Sequence, residues 1–138
     1  CGVDHFSVFS ADEAVLVFQA KRKSTEVVIM GSVDDDALAW AIDNGIEFWV
    51  FEAGRLEQAL KLAQDMGKKA KIHIELETGM NRTGFSSHSL NKVIEILSSA
   101  WGQFELKAQS LQAIGGNKVQ SKDSFCIGWY ERGYSVDF

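Results

Sequence analysis

Lys71-Ile72-His73-Ile74-Glu75-Leu76-Glu77-Thr78-Gly79-Met80-Asn81-Arg82-Thr83-Gly84-Phe85 reads as a strand whose ionisable residues share one face, running into an arginine loop flanked by glycines. Side chains alternate between the two faces of an extended strand. Ile72, Ile74 and Leu76 therefore point one way, and Lys71, His73, Glu75 and Glu77 the other. A central strand of a parallel sheet is normally apolar on both faces. A row of ionisable groups there implies a lined cavity. The loop from Thr78 to Phe85 follows the C-terminal end of that strand, where α/β folds place their ligands.

Outward from this stretch, residues 5–99 alternate between strand and helix patterns. Residues 5–9 form a short apolar strand. Ser10 caps a helix over about residues 11–22, with Glu13 completing a capping box. Residues 26–30 (Glu-Val-Val-Ile-Met) are a β-branched strand closed by Gly31-Ser32. Asp34, Asp35 and Asp36 occupy the first turn of the next helix, where acidic groups favour the dipole. Asn44-Gly45 ends it, and residues 46–51 are the third strand. Leu56, Ala59, Leu60, Ala63 and Met66 lie at helical spacing before Gly67. Residues 70–76 are the fourth strand. Leu90, Val93, Ile94 and Leu97 mark a helix after the arginine loop.

Four βα units with short connections predict a parallel sheet with right-handed crossovers. They amount to half of an eight-stranded barrel or most of an open doubly wound sheet, and periodicity alone does not choose. Cys1-Gly2-Val3-Asp4 has the look of a helix end, which favours a chain that starts mid-fold. Beyond about residue 100 the pattern degrades. Residues 110–138 hold Gly115-Gly116, scattered lysines and an aromatic-rich end without a clear period.

The chain of 138 residues is long enough to bury a real core, and its 46% hydrophobic and 24% charged residues are ordinary for a globular protein. A net charge of −5, without a basic patch interleaved with aromatics, argues against nucleic acid as a partner. The apolar runs are far too short for a membrane span. Cys1 and Cys126 lack metal-ligand or redox spacing, so no metal site is expected and a reduced, cytoplasmic setting is the default. Proline is absent, for which there is no physical account.

The segment Glu77-Thr78-Gly79-Met80-Asn81-Arg82-Thr83-Gly84-Phe85 resembles the N-terminal barrel domain of alanine racemases, the fold-type III pyridoxal phosphate enzymes. In that family a strand ends in an acidic-Thr-Gly-Met-x-Arg-x-Gly stretch. Residues 4–14 resemble the family's second strand and helix, and Val28-Ile29-Met30-Gly31 its third strand. The resemblance implies a partial (β/α)8 TIM-type barrel of about four βα units over residues 1–103, with residues 104–138 left as an irregular, unassigned tail. It implies pyridoxal 5′-phosphate as cofactor, an amino acid as small-molecule substrate, and a homodimeric parent that interconverts L- and D-amino acids. Arg82 matches the arginine that donates to the phenolic oxygen of the cofactor ring. Met30 falls where a strand-end residue lines the cofactor pocket. Glu75 falls where many members carry a carbamylated lysine, and offers an unmodified carboxylate facing Arg82.

Two departures stand against activity of this chain by itself. The family's Schiff-base lysine lies on its first strand, in a Lys-Ala-Asn-Ala-Tyr-Gly-His-Gly type segment that would precede Cys1. The histidine-bearing strand and phosphate-binding loops are unrecognisable in residues 104–138. Gly133-Tyr134-Ser135-Val136-Asp137-Phe138 faintly resembles the segment carrying the family's catalytic tyrosine, which makes Tyr134 a candidate base, although Val136 displaces the expected Asp. The competing functions are another fold-type III enzyme, of D-threonine aldolase or D-serine dehydratase type, and a non-catalytic α/β remnant. Simpler roles compete at each residue. Arg82 could pair with Glu75 or Glu77, His73 could form a satisfied polar pair with Glu75, and Met30 is core by default. Trp40, Trp49, Trp101 and Trp129 are read as packing residues.

Overall fold

The computed structural model describes residues 4–77 and 82–112, with side chains as far as Lys107. Strand and helix alternate as β1 (His5–Val8), α1 (Ala11–Ala20), β2 (Glu26–Ile29), α2 (Asp35–Asn44), β3 (Glu47–Val50), α3 (Ala53–Asp65), β4 (Ala70–Glu77), α4 (Leu90–Ser99) and β5 (Phe104–Gln112). The expected capping box is formed. Ser10 Oγ accepts from the Glu13 backbone N–H at 3.3 Å, and Glu13 Oε2 accepts from the Ser10 N–H at 3.3 Å. Asp34 caps α2 through a 2.8 Å bond from the Ala37 N–H. None of the described helices is long and apolar enough to cross a membrane.

All five strands are parallel and lie in sequence order β1-β2-β3-β4-β5. This order separates the two candidate architectures. A doubly wound sheet reverses direction at a switch point and carries helices on both faces, whereas a barrel adds each strand beside the last with helices only outside. The core matches the barrel. Val27, Ile29, Phe48, Val50, Ala70, Ile72, Ile74 and Leu76, alternating along β2, β3 and β4, pack with Leu38, Ile42, Leu56, Leu60 and Val93 of the helices. Phe48, fully buried in that layer, contributes on the order of 2–3 kcal/mol by burial. The pairing His5↔Glu26 is followed by Val28↔Glu47, an offset of two residues of the kind that staggers strands around a barrel. The protein is thus an arc of a (β/α) barrel.

β5 lies in the stretch that sequence reading left unassigned. It pairs with β4 along its length, with a register irregularity between Ile72 and His73. The alternation of Phe104, Leu106 and Ala108 with Glu105, Lys107 and Gln109 carries a strand signal that slips only at Ser110-Leu111, and sequence reading missed it. Trp101, read as a packing residue, is 85% exposed, with the Phe104 ring edge-on at 6.4 Å between ring centres. Trp40 does pack, edge-on to Phe18 at 5.6 Å. Tyr134, Cys126, Trp129 and Gly115-Gly116 lie outside the described residues.

Candidate functional site

The sheet face opposite the helices receives every second side chain: His5 and Ser7 from β1, Glu26 and Val28 from β2, Glu47 and Trp49 from β3, and Lys71, His73, Glu75 and Glu77 from β4. The single-faced polar row read from β4 is therefore real, and its two halves do different things. Glu75 and Glu77 stand at the C-terminal end of the strand, Lys71 and His73 towards its start.

At the C-terminal end the arginine loop folds back onto the strand. The Phe85 N–H donates to the Glu75 carbonyl at 2.8 Å, and the Glu77 N–H donates to the Phe85 carbonyl at 3.0 Å. This bridge demands glycine at position 84. Gly84 has φ of +111°, and a Cβ there would lie 2.8 Å from the Glu77 nitrogen and 3.2 Å from the Glu75 carbonyl oxygen. The two carboxylates of the strand end then hold the residues just before it. Glu77 Oε2 accepts from the Arg82 backbone N–H at 3.2 Å, and Glu75 Oε1 accepts from the Thr83 hydroxyl at 3.0 Å.

Glu75 is 1% exposed. Among the described residues no hydrogen bond reaches its Oε2, which leaves half of a buried carboxylate without a partner. The Arg82 side chain is exposed, and its guanidinium has no hydrogen bond or ion pair with a described residue. Sequence reading allowed Arg82 to pair with Glu75 or Glu77, and its side chain pairs with neither. Thr83, which sequence reading passed over as a spacer, is the residue that engages Glu75. The signal available for it was only its hydroxyl beside the arginine.

Met30 follows β2, its N–H donating to the Val8 carbonyl at 2.9 Å and its side chain 37% exposed. Gly31 lets the chain pass there, because a Cβ would stand 2.4 Å from the Phe9 carbonyl oxygen, to which the Gly31 N–H donates at 3.0 Å. Met30 and the arginine loop thus belong to the C-terminal ends of β2 and β4. Among the described residues no lysine stands at that end. The lysines lie on helices, in the connections that lead into strands, or towards strand starts at Lys71 and Lys107.

At the opposite end a charged network ties the strands together. His73 Nε2 lies 2.7 Å and His5 Nε2 3.4 Å from Glu47 Oε2, and Lys107 Nζ lies 3.6 Å from Glu47 Oε1. Lys107 also meets Glu26 at 3.4 Å and Glu105 at 2.9 Å, and Lys71 meets Glu26 at 3.5 Å. His73 therefore pairs with Glu47 of the neighbouring strand and not with Glu75 of its own. Burial pushes the Glu47 carboxyl up, and the hydrogen bond and charge of His73, the hydrogen bond of His5 and the charge of Lys107 outweigh it and hold it at about 2. Burial likewise lowers the Lys107 ammonium, and Glu105, Glu26 and Glu47 raise it above the ordinary lysine value. The ligating atoms of His5, Glu26 and Glu47 lie within 4.8 Å of one another, close enough for a metal ion. The two lysines already supply the positive charge that those carboxylates require.

The chain matches the family model described as alanine racemase, N-terminal domain, over residues 1–113. Alanine racemase 2 of Caldanaerobacter subterraneus subsp. tengcongensis is 30% identical over 102 residues, which cover 73% of this chain and 26% of that protein. An alanine racemase of Clostridium perfringens is 39% identical over 74 residues, covering 52% of this chain and 19% of that one. The crystal structure of alanine racemase from Bartonella henselae with covalently bound pyridoxal phosphate superposes with a TM-score of 0.71 at 21% identity, over 80% of this chain and 32% of that one. The chain spans about a quarter or less of the length of these curated relatives. With the family match covering most of its residues and the fold agreeing, the chain belongs to the alanine racemase N-terminal domain family.

Proposed function

We propose that this chain is the cofactor-binding barrel portion of a pyridoxal phosphate-dependent amino-acid racemase whose complete parent, a homodimer, interconverts the L- and D-forms of an amino acid. The observation that carries the reading is that Arg82, whose guanidinium has no partner among the described residues, and Glu75, a buried carboxylate with one oxygen unmet among them, both belong to the C-terminal end of β4. A ring that carries a phenolic oxygen fits this arrangement along one edge. Arg82 would hold the oxygen, being permanently charged and able to serve two acceptors together. Glu75 Oε2 would accept from the same guanidinium, so that no carbamylated lysine is required. Met30 would supply apolar surface beside the ring.

When bound, pyridoxal phosphate supplies the electron sink that acidifies the α-hydrogen of an amino acid. Racemisation further requires two groups on opposite faces of the cofactor, one to remove the proton and one to return it. Tyr134 is the candidate in this chain, and the Schiff-base lysine is expected from the parent.

The test is the affinity of the 138-residue chain for pyridoxine 5′-phosphate, which lacks the aldehyde and so cannot react with surface lysines. Binding that weakens roughly tenfold in Arg82→Met, the loss expected for one charged hydrogen bond, supports the reading. Equal affinity in the two proteins would remove Arg82 from the cofactor site.

A further inference from the structure

We infer that Thr83 is a positioning residue for Arg82, acting through Glu75; this rests on the reading of Arg82 just given. Bonds to Glu75 and Glu77 hold the described part of the loop to the strand end. Two are backbone bonds at Phe85 and one joins the Arg82 N–H to Glu77, while among the described residues the bond that reaches the carboxylate assigned to the guanidinium is Thr83 Oγ1 to Glu75 Oε1 at 3.0 Å. A carboxylate has two oxygens and several lone-pair sites, and anchoring one oxygen narrows the orientations open to the other. With Oε1 committed to the hydroxyl, Oε2 is the acceptor left over, buried and without another partner among the described residues. A donor that satisfies it must come from the loop or the ligand. The guanidinium seven residues along the chain is the donor of matching charge.

Thr83 thereby supplies what an unmodified glutamate lacks. Burial already restricts the Glu75 side chain, but its terminal carboxylate can still turn, and an unanchored one would lose that freedom each time it met the arginine. The hydroxyl removes part of this cost in advance, as preorganised groups do in binding sites. The bond also joins the residue next to Arg82 to the strand, so one contact orients the acceptor and seats the donor.

The experiment compares binding of pyridoxine 5′-phosphate and its 3-O-methyl ether, which lacks the phenolic proton and cannot form an oxyanion. It uses the wild-type chain, Arg82→Met, Thr83→Val and Thr83→Ser. Wild type should prefer the phenol, and Arg82→Met should lose that preference. Thr83→Val keeps the shape without the donor and should reduce the preference roughly threefold to tenfold, whereas Thr83→Ser should restore it. A simple loss of packing would weaken both ligands together and would not be rescued by serine. If Arg82→Met abolishes the preference and Thr83→Val leaves it intact, the role of Thr83 is overturned and that of Arg82 stands. If wild type and Arg82→Met treat the two ligands alike, the reading of Arg82 fails and the inference falls with it.

Discussion

Glu47 shows how a buried charge can be placed deliberately at the start of a strand. A carboxylate 3% exposed is costly unless its oxygens are met, and here two imidazoles converge on one oxygen while a lysine faces the other. The folded state holds this carboxyl at about 2, below its ordinary 4.5. A depressed acid contributes stability that is fully present above its unfolded value and is lost as pH falls through the folded one. The loss should therefore occur as the pH drops from about 4.5 to about 2. Urea unfolding of wild type and Glu47→Gln across that range is the check. The wild type should lose stability on acidification more steeply than the variant. Parallel curves would show that His5, His73 and Lys107 do not stabilise the carboxylate in solution.

Among the elements, the legible ones are those whose ends carry local chemistry. Ser10 with Glu13 and Asp34 before α2 each satisfy helix N–H groups that have no intrahelical partner, and those signals are short-range. Replacing Ser10 by Ala should cost about 1 kcal/mol and lower the melting temperature by several degrees, as read by thermal unfolding followed by circular dichroism. An unchanged midpoint would mean that packing alone holds α1. β5 was partly legible, since Phe104, Leu106 and Ala108 alternate with polar neighbours before the pattern slips at Ser110-Leu111, while its register irregularity opposite Ile72 and His73 is set by pairing and needed the structure. The polar face of β4 was legible as a row, but its division was not. His73 answers to Glu47 across the sheet and Glu75 to Thr83 across the loop, and both partners are set by register and loop return, which a single strand does not encode. The position of Arg82 followed from its motif, whereas the absence of an ion pair to either glutamate required the structure.

For the whole molecule, the governing fact is that the described sheet is an arc. Its helices cover one face, and in a complete barrel the other face would be covered by further strands. As described, β1 and β5 are edges. Edge strands present unpaired backbone groups that other chains can extend, and natural proteins guard them with charge or cover. β1 is poorly guarded: Phe6 is 39% exposed and Phe9, just beyond it, 70% exposed. Met30 adds apolar surface on the adjacent strand end. The chain alone should therefore self-associate, with sedimentation velocity showing species above 15.3 kDa whose share rises with concentration. Phe9→Lys places a charge at that edge, keeps the backbone carbonyl that Gly31 uses, and should shift the distribution toward monomer. Wild type that stays monomeric at every concentration would mean that the chain covers its own edges. Association unaffected by Phe9→Lys would move the contact away from β1, leaving β5 as the edge through which the arc is extended.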